Sequence, residues 1–303
     1  MVASRPPETD RDATRGMLLG VLGVLIFAAT LPATRMAVGD ALAPQLPPTF
    51  VTVGRAAVAG VLSLAYLLAL RARTPARRHW PALAVSALGT VLGFPLFLAL
   101  ALRQVEAVHA AVVTGVLPLA TAAAAAVLLR QRAPAGFWVC ALAGCALVIG
   151  YAAWQGSGAP TRADGLLLLA VASAAVGYVG GAKVSVALPA PQVISWVLVL
   201  SLPFTLPLAW WLRPLQPASG AAWGGFVYVS LFSMWLGFFA WYRALVLGGV
   251  MRVSQVQLLQ PFAALLLAVP LLGEPLDGAT VGFALAVLGV VFVGRRMPVQ
   301  ASR

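Results

Sequence analysis

Ten apolar stretches, each about as long as the roughly 20 residues a helix needs to cross a bilayer, follow one another along the chain, near 17–37, 49–70, 81–102, 107–129, 135–154, 165–187, 191–212, 220–243, 251–272 and 276–294. In hydrocarbon a backbone must satisfy its own hydrogen bonds, so segments of this length and apolarity are helices. Only 9% of the 303 residues are charged and 61% are hydrophobic, whereas a soluble domain carries about a quarter charged residues. An ordinary soluble enzyme is excluded. The expected fold is an all-α polytopic membrane protein of ten transmembrane helices.

What lies outside the stretches is short. Residues 1–16 hold Arg5, Pro6, Pro7, Glu8, Asp10, Arg11, Asp12 and Arg15, a composition expected to stay a disordered cytoplasmic tail; residues 296–303 read as a second tail. The apolar run from Met17 imitates a signal peptide, but nine further spans favour a first transmembrane helix. Basic residues stay preferentially on the cytoplasmic side of short loops. With the N-terminus inside, fifteen Lys and Arg fall on that side and four (Arg35, Arg103, Arg162, Arg213) on the other, Arg55 lying within a span. Both termini are therefore expected in the cytoplasm, with the chain in the cytoplasmic (inner) membrane.

The formal charge of +12 would suggest nucleic acid in a soluble protein. Here it follows the loops, and no nucleic-acid partner is expected; the partners are the lipid bilayer and a small-molecule substrate. Lys183, the single lysine, is followed by Val184 and completes no phosphate-binding loop, so no nucleotide and no other cofactor is implied. Cys140 and Cys145 sit five apart in one apolar run and read as packed thiols. His79 and His109 are 30 residues apart, which gives no metal site.

Shifting the chain by 143 residues lays the fourth and fifth spans on the ninth and tenth. Ala101-Leu102 meets Ala244-Leu245, Val113 meets Val256, Pro118 meets Pro261, and Ala141-Leu142-Ala143 meets Ala284-Leu285-Ala286. The proline match weighs most, since a mid-span proline removes a helix hydrogen bond and kinks the axis. Five spans is an odd number, so the second copy (163–295) must cross the membrane in the opposite sense to the first (17–155). Inverted repeats are built into many carriers that open a midplane site alternately to the two sides.

The run Tyr242-Arg243-Ala244-Leu245, the stretch Gln257 to Pro261, and Leu271-Leu272-Gly273-Glu274-Pro275 resemble the second repeat of EamA-like members of the drug/metabolite transporter superfamily. Leu31-Pro32-Ala33-Thr34-Arg35 with Arg55 is similar to the opening of the first repeat. The resemblance covers roughly residues 17–295. It implies two inverted five-helix repeats around a central cavity, and export or exchange of small metabolites, amino acids or drugs.

Candidate contacts for a substrate come from the few polar and aromatic residues inside the spans. Ser254, Gln257 and Pro261 recur at helical spacing on the ninth span with Gln260 beside them, and amides facing lipid are expensive, so this face is expected to look inward. Gln257 and Gln260 could equally bond neighbouring helices as glue. Thr114 occupies the position equivalent to Gln257, although a threonine can instead satisfy its own helix backbone. Phe94 and Phe97 on the third span and Trp235 on the eighth either wall the cavity or pack against lipid.

Arg55 lies about five residues, or roughly 8 Å, into the second span. It either forms a fork for a substrate carboxylate or phosphate, or snorkels to the outer interface, or pairs with Asp40. Glu106 and His109, three apart, form either a proton-sensing pair or an ordinary helix start. Pro118 and Pro261 are the expected flex points. Gly177-x-x-x-Gly181, Cys140-x-x-x-Gly144 and Gly282-x-x-x-Ala286 offer small-residue stripes for close packing, the last of them available to a homodimer.

An intramembrane enzyme is the competing class. The five aspartates fall in the tail, in loops or at the extreme start of a span (Asp277), no His-Glu-x-x-His occurs, and no serine has a glycine two residues before it. The reading is a secondary transporter that moves amino acids or similar amphipathic solutes by alternating access, with multidrug efflux as the alternative.

Overall fold

The computed structural model describes residues 10–128, 134–155, 160–185, 187–248, 256 and 259–295. Eight helices are long and apolar enough to cross a membrane: α1 (Thr14–Val38), α2 (Pro48–Ala69), α3 (Arg77–Leu102), α4 (Ala107–Leu128), α5 (Ala135–Gln155), α6 (Arg162–Ser185), α7 (Pro191–Trp211) and α8 (Gly220–Trp241). Two shorter apolar helices complete the series, α9 (Gln260–Leu272) and α10 (Gly278–Val293). The helical stretch that contains α1 begins at Asp10, so residues 10–16, expected as tail, belong to it. The tail's prolines end at Pro7, and nothing between Asp10 and Arg15 breaks a helix.

Odd-numbered helices finish at the end of the bundle where even-numbered ones start. At that end Arg103, just past α3, donates to the carbonyls of Val38, Gln45 and Leu46 in the link between α1 and α2. Gln45 in turn accepts from the N–H of Ser219, whose hydroxyl caps α8. Asp40 of the same link accepts from the N–H groups of Leu42 and Ala43, and chiefly the Ala43 bond holds its carboxyl below the usual value. Gly39 stands at φ +69°, a conformation that suits glycine and lets the link fold back against Pro44.

Inside the bundle α2 packs along α7, α1 along α8, α3 and α4 against α6, and α5 against α10. Glycine makes the α3–α6 contact possible. A Cβ added at Gly177 would stand 2.8 Å from the backbone N of Thr90 and 3.0 Å from the carbonyl carbon of Gly89, so the stripe read from the sequence meets α3 backbone to backbone. Outward faces carry leucines and aromatics, among them Leu22, Leu68, Leu142 and Leu266, and form the apolar periphery that hydrocarbon would cover.

Among the described residues four spans are interrupted, two by a break and two by a widened turn. The α1 helix breaks at Ala29, three residues before Pro32, whose ring cannot join a regular ladder; the freed carbonyl of Ile26 accepts the Tyr228 hydroxyl at 3.0 Å. The α4 helix breaks between Thr114 and Leu117. Wide π turns occupy Ala87–Gly93 in α3 and Val229–Leu236 in α8. A shift of 143 residues lays Ala87–Gly93 on Ser230–Leu236, so the widened turn recurs at the same place in each half.

Pro118 and Pro261 were expected as kinks in continuous helices. The structure places each in the first turn of a helical segment, Pro118 in Leu117–Leu128 and Pro261 in Gln260–Leu272. There a missing N–H costs no hydrogen bond.

Candidate functional site

A buried polar group lies where α1, α2 and α8 meet. The α2 helix starts at Pro48, which puts Arg55 seven residues, or roughly 10 Å, along it. Arg55 is 3% exposed, and its Nη2 donates to Ser233 Oγ at 3.0 Å. Ser233 sits in the π turn of α8 and also accepts the Thr30 hydroxyl, at 2.8 Å, from beside the break in α1. Irregular backbone in two spans thus positions the partners of one arginine. Such breaks and π turns inside spans are tolerated where they line a site or are buried in protein.

The rest of the guanidinium has nothing to bind. Among the described residues, Arg55 Nε and Nη1 are buried and have no hydrogen-bond partner, and no carboxylate pairs with the side chain. Asp40, the acid considered as its partner, instead lies 3.8 Å from Arg35. Four further buried polar groups are unmatched among the described residues, the hydroxyls of Ser63 and Thr205 and the indole N–H groups of Trp196 and Trp235. The two indole rings pack on a cluster that includes Ala56 and Ala59, the residues one and four after Arg55. Trp196 carried no signal in the sequence beyond being a mid-span tryptophan.

The other candidate residues separate. Trp235 leans on Phe239 with ring centres 5.1 Å apart, and Phe239 in turn meets Tyr66 at 4.9 Å. Phe94 and Phe97 are half-buried against the large central cluster formed with α1, α4 and α9, away from the tryptophans' cluster. Thr114 bonds the Ala110 carbonyl of its own helix at 2.7 Å. Gln260 is half-buried at the start of α9. Ser254 and Gln257 lie outside the described residues, as does Gln131, the counterpart of Glu274.

A second polar region occupies the loop end. A pocket of about 520 Å³ is bordered by Arg35, Glu106, His109, Tyr151, Asp164 and Asp277, among others. His109 pairs there with Asp164, at 2.6 Å, rather than with Glu106. The reason is local: Thr161 and Asp164 form a capping box at the start of α6, the Asp164 carboxylate accepting Thr161 N–H and Oγ1–H, which fixes the acid against α4. Glu106, one residue before α4, faces solvent.

Glu274 performs a task the sequence did not announce. Gly273, at φ +68°, ends α9 in the left-handed conformation, and its N–H bonds the Val269 carbonyl. The turn delivers the Glu274 carboxylate to the N-terminus of α4, where it accepts the N–H groups of Ala107 and Val108, each at 2.8 Å. Negative charge at free helix N–H groups is favourable, while burial pushes the carboxyl above its usual value and outweighs the two bonds.

A bundle of helices long and apolar enough to cross a membrane, holding an arginine that among the described residues is buried without a carboxylate partner, has the features of an integral membrane protein. The EamA-like transporter family matches the chain twice, over residues 14–152 and 161–295, and the protein belongs to that family. It is 46% identical over 288 residues to a Bacillus subtilis (strain 168) protein named "Uncharacterized transporter YdeK", a match covering 93% of this chain and 98% of that one. A crystal structure with 20% sequence identity superposes with a TM-score of 0.62, covering 93% of this chain and 98% of its own, and shares the fold.

Proposed function

We propose that the protein is a secondary carrier of the cytoplasmic membrane that moves small amphipathic metabolites bearing a carboxylate, amino acids first among them, outward or in exchange. One observation carries the substrate class. Arg55 is buried in a span with two guanidinium nitrogens unmatched among the described residues, and the indoles of Trp196 and Trp235, packed nearby, are likewise N–H groups without a partner there. A buried cation without a counter-charge is costly, and a ligand carboxylate answers it through two parallel bonds. The same array disfavours a cationic drug, which would meet donors and positive charge.

Alternating access is the mechanism that fits this site. The family matches each half of the chain separately, and α1 finishes at the end of the bundle where α6 begins, which supports two halves of opposite sense rocking about Arg55. The distribution of basic residues supports cytoplasmic termini, which puts the pocket beside His109 on the far side.

The test is an unbiased comparison of small molecules inside and outside cells that express the wild-type chain or Arg55→Ala at matched membrane abundance. One class of carboxylate-bearing metabolite should move outward with the wild type and remain inside with Arg55→Ala. Movement of an organic cation unaffected by Arg55→Ala and reduced by Trp235→Ala would replace this reading with drug efflux.

A further inference from the structure

The pocket at the loop end shares no bordering residue with the Arg55 site, and several polar bonds at and beside it join the two halves of the chain. His109 of α4 meets Asp164 of α6, Glu274 of the α9–α10 link meets the amides of Ala107 and Val108, and Thr280 of α10 meets Tyr151 and Gln155 of α5 at 3.3 and 3.2 Å. Opening this end would have to break them. The Thr280 bonds are ordinary hydrogen bonds of neutral groups, and Glu274 is the one other acid among these links, its carboxyl raised by burial. The His109–Asp164 bond is different, because histidine alone among unperturbed side chains changes charge near neutral pH.

Its surroundings suit a proton. Asp164 is held by its capping box, so its carboxylate stays in place whatever the histidine does. The His109 ring lies on Tyr151, ring centres 5.1 Å apart, and turns Nε2 to Asp164; among the described residues Nδ1 has no partner. Asp164 from α6 and Tyr151 from α5 touch the ring, and the pocket beside it is bordered by Arg35 from α1, by Glu106, which is open to solvent, and by Asp277 of the α9–α10 link, with Glu274 of the same link bound to the start of α4. Arg35 is already engaged with the Leu102 carbonyl and Asp40. Protonation at Nδ1 converts a hydrogen bond from a neutral ring into an imidazolium–carboxylate ion pair, the stronger of the two links.

We propose that the His109–Asp164 pair is a proton-binding site that latches the two halves: a proton taken from the pocket holds this end shut, and its loss lets the end open. The proposal rests on the alternating-access reading above, and it makes the proton a ligand whose binding and the carrier's conformation bias each other.

The test uses the full chain in lipid nanodiscs, with Cys140→Ser and Cys145→Ser and spin labels on Gln104→Cys and Gly278→Cys, one in each half and outside the latch. Distances are compared at about pH 5 and about pH 8, the span over which a histidine changes charge. The longer distance should be populated about fivefold more, or beyond, at the higher pH. His109→Gln and Asp164→Asn should each abolish the difference, and His79→Gln, which removes the other histidine, should preserve it. Two distances in equal proportion at both pH values would leave the two-state cycle standing and overturn the latch. A single distance at both values would overturn the latch and count against alternating access, and a pH response that survives His109→Gln would overturn the histidine's role alone.

Discussion

The carboxylate of Glu274 receives the backbone N–H of Ala107 at 2.8 Å, a contact between residues 167 apart in sequence. It ties the end of α9 to the start of α4 and, with the Val108 bond beside it, fills two of the free N–H groups that every helix leaves at its N-terminus. Glu274→Ala leaves both amides buried without a partner, and should lower stability by about 1–3 kcal/mol per unsatisfied group, read as a fall in the Tm of the purified protein.

The same acid should give stability a pH dependence of predictable sign. Burial raises its folded-state pKa above the usual 4.5, so the folded chain holds the proton more tightly than the unfolded one. The Glu274 contribution is then fully present below the usual value and is lost as pH rises through the raised folded value. Compared with Glu274→Gln, the wild type should lose relative stability across that window and stay level on either side of it; a difference in Tm that runs in the opposite direction refutes the assignment.

Ser233→Ala should damage transport without damaging the fold. It removes the only hydrogen-bond partner of Arg55 among the described residues and leaves Thr30 without its acceptor. The free guanidinium would lose its fixed orientation, and apparent affinity for the transported metabolite should fall about tenfold, equivalent to about 1.4 kcal/mol. Flux measured over a range of substrate concentrations separates this from a loss of folded protein.

Glycine substitutions should sort by what stands opposite them. Gly177→Val drives a side chain into the backbone of α3 and should cost at least about 1–3 kcal/mol, with a drop in membrane abundance. Gly150 on α5 has nothing within 4 Å of an added Cβ, and Gly150→Val should be tolerated. Equal losses at both positions would mean that helix propensity, not packing, decides.

Thr161→Ala dismantles the capping box at the start of α6. A loss of about 0.5–2 kcal/mol is the ordinary cost of an N-cap. Because Asp164 would also lose its anchor, His109→Gln should cost less in the Thr161→Ala background than in the wild type, a coupling that a double-mutant cycle of Tm values measures.

The apolar helices and most of their limits were legible because hydrophobicity at bilayer length is a property of single segments. Arg55 stood out for the same reason: a charge inside such a segment is conspicuous without any knowledge of its neighbours. Its partner was not legible, since Ser233 is one of many serines and reaches Arg55 only through a π turn that no local pattern marks. The pairing of His109 with Asp164 rather than Glu106 depends on where α6 docks, so sequence proximity pointed to the wrong acid. Thr114 shows the converse, a residue whose helical position suggested a cavity while its hydroxyl is spent on its own backbone.

Arg55 and Ser233 are 178 residues apart, which has a consequence during synthesis. The second helix leaves the ribosome carrying an arginine whose lateral entry into the bilayer costs about 2.5–3.5 kcal/mol at mid-helix, long before the eighth helix exists to receive it. Until then the nascent first half must hold that charge at the lipid interface or in water, so α2 can take its final depth only after most of the chain has been made. A chain truncated before α8 should therefore hold its second helix less firmly in the membrane than the full chain does.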